Sequence, residues 1–417
     1  MKSCKQVDSP PPLKVSEYDE ELEKLSLSEK ELFDLLAANE AFEKCWKSGS
    51  RIEKLKVSRI GEGKGFLSQI HKIVIRFSNT RKFEFIVKIP KPYAFQEFLG
   101  NWQKDADNEN VPVDQCVIVG HNSECSFYNQ IKELSGCPLP KVYIAKKYES
   151  KNRPGLLLME NLAERAEVIG YHQGATIEQC FTVARSIAAM QYETSKTEKL
   201  KEWSKSQKTS YFEEYYDSQL PDSMAAIRAL PGITPFLSKM EPILSRKFGF
   251  YSVFEKAKEF GALSFCYGDI QPNNLMFQKQ KDGTLGSKLE ALIDWQILFY
   301  GSASFDLARF MVTSPGVENR RQIEMATYAT YYSELQRLHH KDGREVPFSY
   351  EQGLHLYELA LCQQIGFVLM FLGVYLAMNA NKEGILGNAV DRLLDNVLYA
   401  VERAIEIFEK RGLYEKF

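Results

Sequence analysis

Asp269 and Asn274 stand five residues apart in Cys266-Tyr267-Gly268-Asp269-Ile270-Gln271-Pro272-Asn273-Asn274-Leu275-Met276-Phe277. On a tight loop containing a proline, both side chains can face one cleft. The carboxylate can accept a proton from a substrate hydroxyl, and the amide oxygen can ligate Mg²⁺. A second carboxylate, Asp294, follows the apolar run Leu289 to Ile293 in Ile293-Asp294-Trp295-Gln296. An Asp and an Asn converging on a divalent metal bound to phosphates form the working centre of phosphoryl transfer in kinase-type enzymes. Lys88 on an alternating strand and Glu124 on the helix after it can supply a buried ion pair that orients the α- and β-phosphates. Gly61, Gly63 and Gly65 form a cluster ahead of Lys88, where backbone amides could cover phosphates. Each part alone is a weak signal. D-x-x-x-x-N is expected about once by chance in a chain this long, a glycine cluster suits an ordinary hairpin, and most strand lysines are solvated. The order of the five parts carries the reading: glycine turn, strand Lys, helix Glu, D-x-x-x-x-N, Asp.

The elements that must position these residues fall into two textures. Residues 1–27 read as a flexible leader, since Asp8-Ser9-Pro10-Pro11-Pro12 suits neither helix nor ladder. Ser28-Glu29-Lys30-Glu31 is a capping box opening a helix with Leu32, Leu35, Leu36 and Phe42 on its apolar stripe. From Arg51 to Asn161 the pattern is β-rich: Leu55 to Ile60, Phe66 to Phe77, and Lys82 to Ile89, where Phe83, Phe85 and Val87 alternate with Glu84, Ile86 and Lys88. A helix near Phe95 to Trp102, a helix over Ser123 to Leu134, and strands at Val142 to Ala145 and Leu156 to Met159 follow. Strands so closely connected predict an antiparallel sheet with one helix across it. Beyond Asn161, apolar residues at spacings of three and four predict helices over Ile177 to Gln191, Tyr211 to Asp217, Ile323 to Leu338, Tyr350 to Met378 and Ala389 to Phe408. Short apolar runs at Leu263 to Cys266 and Leu275 to Phe277 interrupt them and flank the chemistry, with a hairpin-like turn at Lys281-Asp282-Gly283. The expected organisation is therefore a leader (1–27), an N-terminal helix with a β-rich nucleotide lobe (28–161), and a helical C-lobe carrying the catalytic and metal loops (162–417).

Composition limits the partners. The 417 residues include 53 Lys plus Arg against 55 Asp plus Glu, a net charge of −2, so there is no basic footprint for nucleic acid. The 8 cysteines are scattered with no C-x-x-C pair, which reads as free thiols in a reducing compartment, and Met1 to Lys14 has no apolar signal core. A cytoplasmic location follows as the expectation. The longest apolar run, Ile365 to Met378, is shorter than the roughly 20 residues of a spanning helix and reads as a buried helix, so no stable membrane insertion is expected.

From about residue 50 to 400 the chain resembles the CHK kinase-like, or ecdysteroid-kinase-like, family, relatives of choline kinases and aminoglycoside phosphotransferases within the protein-kinase-like fold. Tyr267-Gly268-Asp269 through Asn274 resembles its H-G-D-x-x-x-x-N loop. Ile293-Asp294-Trp295-Gln296 with Gly301 and Asp306-Leu307-Ala308-Arg309 resembles its I-D-[FW]-Q…G…D-L-A-R block. His121-Asn122-Ser123-Glu124 with Tyr128 resembles its H-x-x-E-x-x-x-Y helix, and Leu156 to Leu162 its hinge strand. Trp295 and the Tyr-Tyr-Ser-Glu-Leu stretch at 331–335 most resemble the branch expanded in nematodes.

The resemblance implies an α+β, two-lobed protein-kinase-like fold, with a small antiparallel-sheet N-lobe and a larger mainly helical C-lobe. It implies ATP and Mg²⁺ as cofactors and γ-phosphoryl transfer to a hydroxyl of a small-molecule alcohol: a metabolite, a steroid or a xenobiotic. By the same resemblance Asp269 is the catalytic base, Asn274 and Asp294 are the Mg²⁺ ligands, Lys88 is the phosphate clamp and Glu124 its partner. Met159 to Leu162 line the adenine pocket through backbone groups at Glu160 and Asn161, and Asp306 braces the catalytic loop. Two positions depart from the pattern. Tyr267 replaces the family's His, which keeps open the alternative of a catalytically impaired nucleotide-binding or scaffold protein, and Gln191 stands where relatives often have His. The segment Tyr211-Phe212-Glu213-Glu214-Tyr215-Tyr216 suits a packed helix face or an acceptor pocket.

Overall fold

The computed structural model describes residues 22, 25, 29–37, 39–46, 50–60, 68–91, 113–150, 152–170, 173–207, 220, 232–379 and 385–417. The expected leader apart from Leu22 and Leu25, Ser28 of the capping box, the glycine cluster at 61–65, the helix near 95–102 and the aromatic segment 211–216 lie outside the described residues. The chain divides into two compact units, residues 1–132 with 140–164, and residues 133–139 with 165–417. The expected boundary after Asn161 therefore shifts by a few residues, and a short earlier segment joins the second unit. Its reason is local: Leu292 N–H donates to Pro138 C=O at 2.9 Å, which ties 133–139 to the strand that leads to Asp294.

In the first unit, helices α1 (Glu29–Ala37) and α2 (Glu40–Cys45) precede strands β1 (Ile52–Ile60), β2 (Ser68–Phe77) and β3 (Lys82–Pro90), helix α3 (Val113–Gln130), and strands β4 (Val142–Lys146) and β5 (Leu156–Glu160). The sheet order is β1-β2-β3-β5-β4, antiparallel throughout. Alternation on β3 works as the pleat requires: Phe83, Phe85 and Val87 are buried in one cluster with Ile73, Ile75 and Leu158, and Phe42 of α2 closes it. Phe42 meets Phe83 edge to face at 5.6 Å. Helix α3 packs against β3 and β4. It differs from the expected Ser123 to Leu134 in beginning ten residues earlier and ending at Gln130. Its last turn is closed by Lys132, whose Nζ donates to Tyr128 C=O at 2.7 Å, and Gly136 at φ 82 turns the chain shortly afterwards.

The second unit opens with β6 (Ala166–Val168) and α4 (Ile177–Ser195), begun by a capping box between Thr176 and Gln179. Strands β7 (Leu263–Cys266), β8 (Leu275–Lys279), β9 (Leu285–Leu292) and β10 (Phe299–Ser302) carry the motif loops. They form a two-stranded ribbon, β10-β7, and a three-stranded sheet, β6-β8-β9. Helices α5 (Phe305–Thr313), α6 (Val317–Lys341), α7 (Tyr350–Asn379) and α8 (Ile385–Lys410) follow. α6 packs on α4, and α7 lies between α5 and α8. The apolar run at 365–378 belongs to α7, with Ile365, Phe367, Leu369 and Leu372 buried. Among the described residues no helix is long and apolar enough to cross a membrane. The six cysteines with described side chains are free thiols.

Candidate active site

β7 delivers the loop bearing Asp269. Gly268 makes the turn at φ 88, and a Cβ there would lie 1.9 Å from the Ile297 carbonyl oxygen, so the backbone of the next motif passes where a side chain would stand. A single turn of 3₁₀ helix, Pro272–Asn274, then leads into β8. The β8–β9 hairpin does the rest. Leu275 pairs with Leu292, so the residues just outside the hairpin, Asn274 and Ile293, are brought side by side, and Ile293 N–H donates to Asn274 C=O at 3.1 Å. Asp294 follows directly. Its φ of 67 lies in the left-handed region, which Asp tolerates better than most residues. The strain, about 1–3 kcal/mol, is held by flanking bonds: Tyr267 Oη donates to Ile293 C=O, and buried Trp295 donates from Nε1 to Leu292 C=O at 2.9 Å. The Tyr267 and Trp295 rings meet edge to face at 4.7 Å.

The Asp269 carboxylate is anchored on one oxygen. Oδ2 accepts from Gln271 Nε2 at 2.9 Å and from Asn274 Nδ2 at 3.0 Å, while Nδ2 also donates to Asp269 C=O at 2.9 Å. Both bonds use the amide nitrogen, which turns Asn274 Oδ1 away from Asp269. Burial pushes the Asp269 carboxyl up to about 6, Arg309 pulls it down, and the Asp294 charge adds to the rise. Asn274 Oδ1 and the Asp294 carboxylate are hard oxygen donors beside a second carboxylate, and that donor set fits Mg²⁺.

Helix α5 braces the loop from behind. Asp306 accepts from Tyr267 N–H and Gly268 N–H, both at 2.8 Å. Burial lifts the Asp306 carboxyl to about 6, against the pull of these two donors. Gln191 also supports this helix: its Nε2 donates to Ala303 C=O at 2.7 Å, and its Oε1 accepts from Tyr331 Oη at 2.6 Å. Gln191 is thus a buried polar strut below the α5 N-terminus.

In the first unit Lys88 Nζ contacts Glu124 Oε2 at 2.7 Å, with side-chain exposures of only 7% and 0%. β3 places Lys88 on the face opposite Phe85 and Val87, and α3 brings Glu124 to it. His121, one turn earlier on α3, contacts Lys146 C=O at 2.9 Å, and burial lowers its pKa to about 4, so it is neutral. At the end of β5, Glu160 N–H donates to Lys141 C=O at 2.9 Å and Asn161 Nδ2 donates to Glu84 at 3.2 Å. Gly61, Gly63 and Gly65 lie outside the described residues.

The sequence reading assigned no role to Arg309. It is buried, and its Nη1 lies 3.6 Å from Asp269 Oδ1. The signal was its spacing: Arg309 stands three residues after Asp306, on the same helical face.

The strand order, the helix between the third and fourth strands, and the mainly helical second unit define a protein of the protein-kinase-like fold class. Residues 39–411 match the family described as "Uncharacterized oxidoreductase dhs-27", and the chain belongs to that family. It is 25% identical over 322 residues to the Caenorhabditis elegans protein of that name, a match covering 74% of this chain and 38% of that protein. It is 20% identical over 309 residues to the Caenorhabditis elegans "Uncharacterized kinase-like protein D1044.1", covering 72% of this chain and 77% of that one. The chain thus spans well under half the length of the first relative. Among solved structures, a putative aminoglycoside phosphotransferase from Ralstonia eutropha aligns with a TM-score of 0.48 at 13% identity, over 84% of this chain and 92% of that one.

Proposed function

We propose that this protein is an ATP-dependent small-molecule kinase that transfers the γ-phosphoryl group to a hydroxyl of a metabolite, steroid or xenobiotic, in the cytoplasm. One observation supports the reading: the β8–β9 hairpin pairs Asn274 with Ile293, the residue before Asp294, and Asn274 is hydrogen-bonded to Asp269. Asp269 orients the acceptor hydroxyl and takes its proton. Asn274 and Asp294 would hold Mg²⁺, which supplies charge neutralisation at the phosphates. Lys88, fixed by Glu124, contacts the α- and β-phosphates, Gly61, Gly63 and Gly65 cover them, and backbone groups at Glu160 and Asn161 meet the adenine. Catalysis of this kind is mostly positioning and electrostatics, which suits a base held by hydrogen bonds, as Asp269 is by Gln271 and Asn274.

The name of the longer relative suggests redox chemistry for that protein. Here every strand pair of the described sheets is antiparallel, whereas dinucleotide crevices form at the switch point of a parallel sheet. The impaired-enzyme alternative drew on Tyr267. The bond from its hydroxyl to Ile293 supports the competent reading, since it gives the tyrosine a bracing role. The test is incubation with Mg-ATP and a panel of sterol, amino-alcohol and xenobiotic hydroxyls, read by mass spectrometry for a phosphorylated product. The product should vanish with Asp269→Asn. Tight Mg-ATP binding with no product across the panel would favour the non-catalytic alternative.

A further inference from the structure

One face of helix α5 follows the catalytic loop residue by residue. Asp306 accepts the N–H groups of Tyr267 and Gly268, Arg309 lies 3.6 Å from the Asp269 carboxylate, and Thr313 Oγ1 lies 3.4 Å from Ile270 C=O. These helix positions are i, i+3 and i+7, the spacing that keeps side chains on one stripe. Arg309 is itself fixed from the far side: its Nε donates to Gln364 Oε1, and its guanidinium sits 3.4 Å from the Phe367 ring centroid, both on α7. Gln364 is fully buried and its amide donates to Gln363 at 2.6 Å.

We propose that Arg309 is the positioning residue of the general base. With Oδ2 of Asp269 bonded to Gln271 and Asn274, Oδ1 is the oxygen turned to the acceptor hydroxyl, and the clamped guanidinium fixes its direction. An arginine beside a base costs basicity. In phosphoryl transfer through a loose transition state, aim matters more than proton affinity, so the exchange favours catalysis. This role rests on the phosphotransfer reading.

The test is a double-mutant cycle in the full-length chain, reading Mg-ATP affinity and the release of inorganic phosphate with water as acceptor. Arg309→Met should lower kcat on the order of 10²-fold with ATP affinity unchanged. In the Asp269→Asn background it should cost less than about 3-fold, because the base it aims is gone. A residue that merely supports the fold would lower both backgrounds by the same factor, and that result overturns the proposal. If Arg309→Met does not fold, Arg309→Lys, which keeps the charge and loses the planar guanidinium fork, runs the same cycle with the same criterion. A wild type that binds no Mg-ATP would sink the phosphotransfer reading and this role with it. A wild type that hydrolyses ATP no faster than Arg309→Met would sink this role alone.

Discussion

The hydroxyl of Tyr267 donates to the main-chain carbonyl of Ile293, the residue immediately before Asp294. One side chain thereby ties the strand that leads to Asp269 to the loop that carries Asp294. Its backbone N–H is held by Asp306, and its ring stands edge-on to Trp295, so it is fixed at both ends. Tyr267→Phe keeps the ring and removes the bond. It should cost about 1 kcal/mol of stability, because a half-buried carbonyl loses its donor. It should also weaken Mg-ATP binding several-fold while leaving ATP binding without metal unchanged. Thermal unfolding and ligand titration check the two parts. Tyr267→His should bring no gain in turnover; a large gain would mean the tyrosine impairs the natural protein.

Lys88 and Glu124 form an ion pair almost wholly out of solvent. Removing one partner leaves the other buried and uncompensated, so Lys88→Met should lower unfolding free energy by about 3 kcal/mol. Replacing both, with Lys88→Met and Glu124→Leu together, should recover most of that loss while leaving ATP binding weak. Chemical denaturation of the two variants and the wild type distinguishes the pair's structural role from its proposed phosphate role.

Glu358 of α7 is buried and meets Lys410 Nζ at 3.1 Å and Arg411 Nε at 2.6 Å. Burial raises its carboxyl, but the two cations outweigh that and hold it below its ordinary 4.5. A folded pKa below the unfolded one means the stabilisation is present above about pH 4.5 and is lost as pH falls through the folded value. Glu358→Gln should therefore cost about 2 kcal/mol at pH 7, and the gap to wild type should close below pH 4. Urea unfolding at pH 7, 5 and 3 measures it.

The parts of the site that lie within one loop or one strand end were legible in the sequence. Asp269 and Asn274 are five residues apart, and Asp294 follows an apolar run; a hairpin turn between them was readable at Lys281-Asp282-Gly283, where Gly283 takes φ 85. Strands with one buried face, such as β3, announced themselves by alternation. Helix α5 did not. All nine of its residues are buried, so its polar stripe of Asp306, Arg309 and Thr313 faces other protein groups and not solvent, and the segment does not read as an ordinary surface helix. Arg309 was hidden with it, because its partners Asp269, Gln364 and Phe367 are distant in sequence. β10 has only four residues, too short for any period. The start of α3 was missed for a different reason: the β-branched run Val117, Ile118 and Val119 suits a strand as well as a helix.

The account stands or falls on a metal-dependent nucleotide site built on Asp294, and thermal unfolding with ATP alone, Mg²⁺ alone and both tests it most directly. Asp294→Asn is a clean control, since Asn also tolerates the left-handed backbone that residue 294 adopts. Ligand at about 100 times its dissociation constant adds roughly 2.7 kcal/mol to a protein that binds only when folded. The wild type should be stabilised strongly only when both are present, and Asp294→Asn should lose that increment. No shift at millimolar ATP with Mg²⁺, or an equal shift in the variant, would contradict the account.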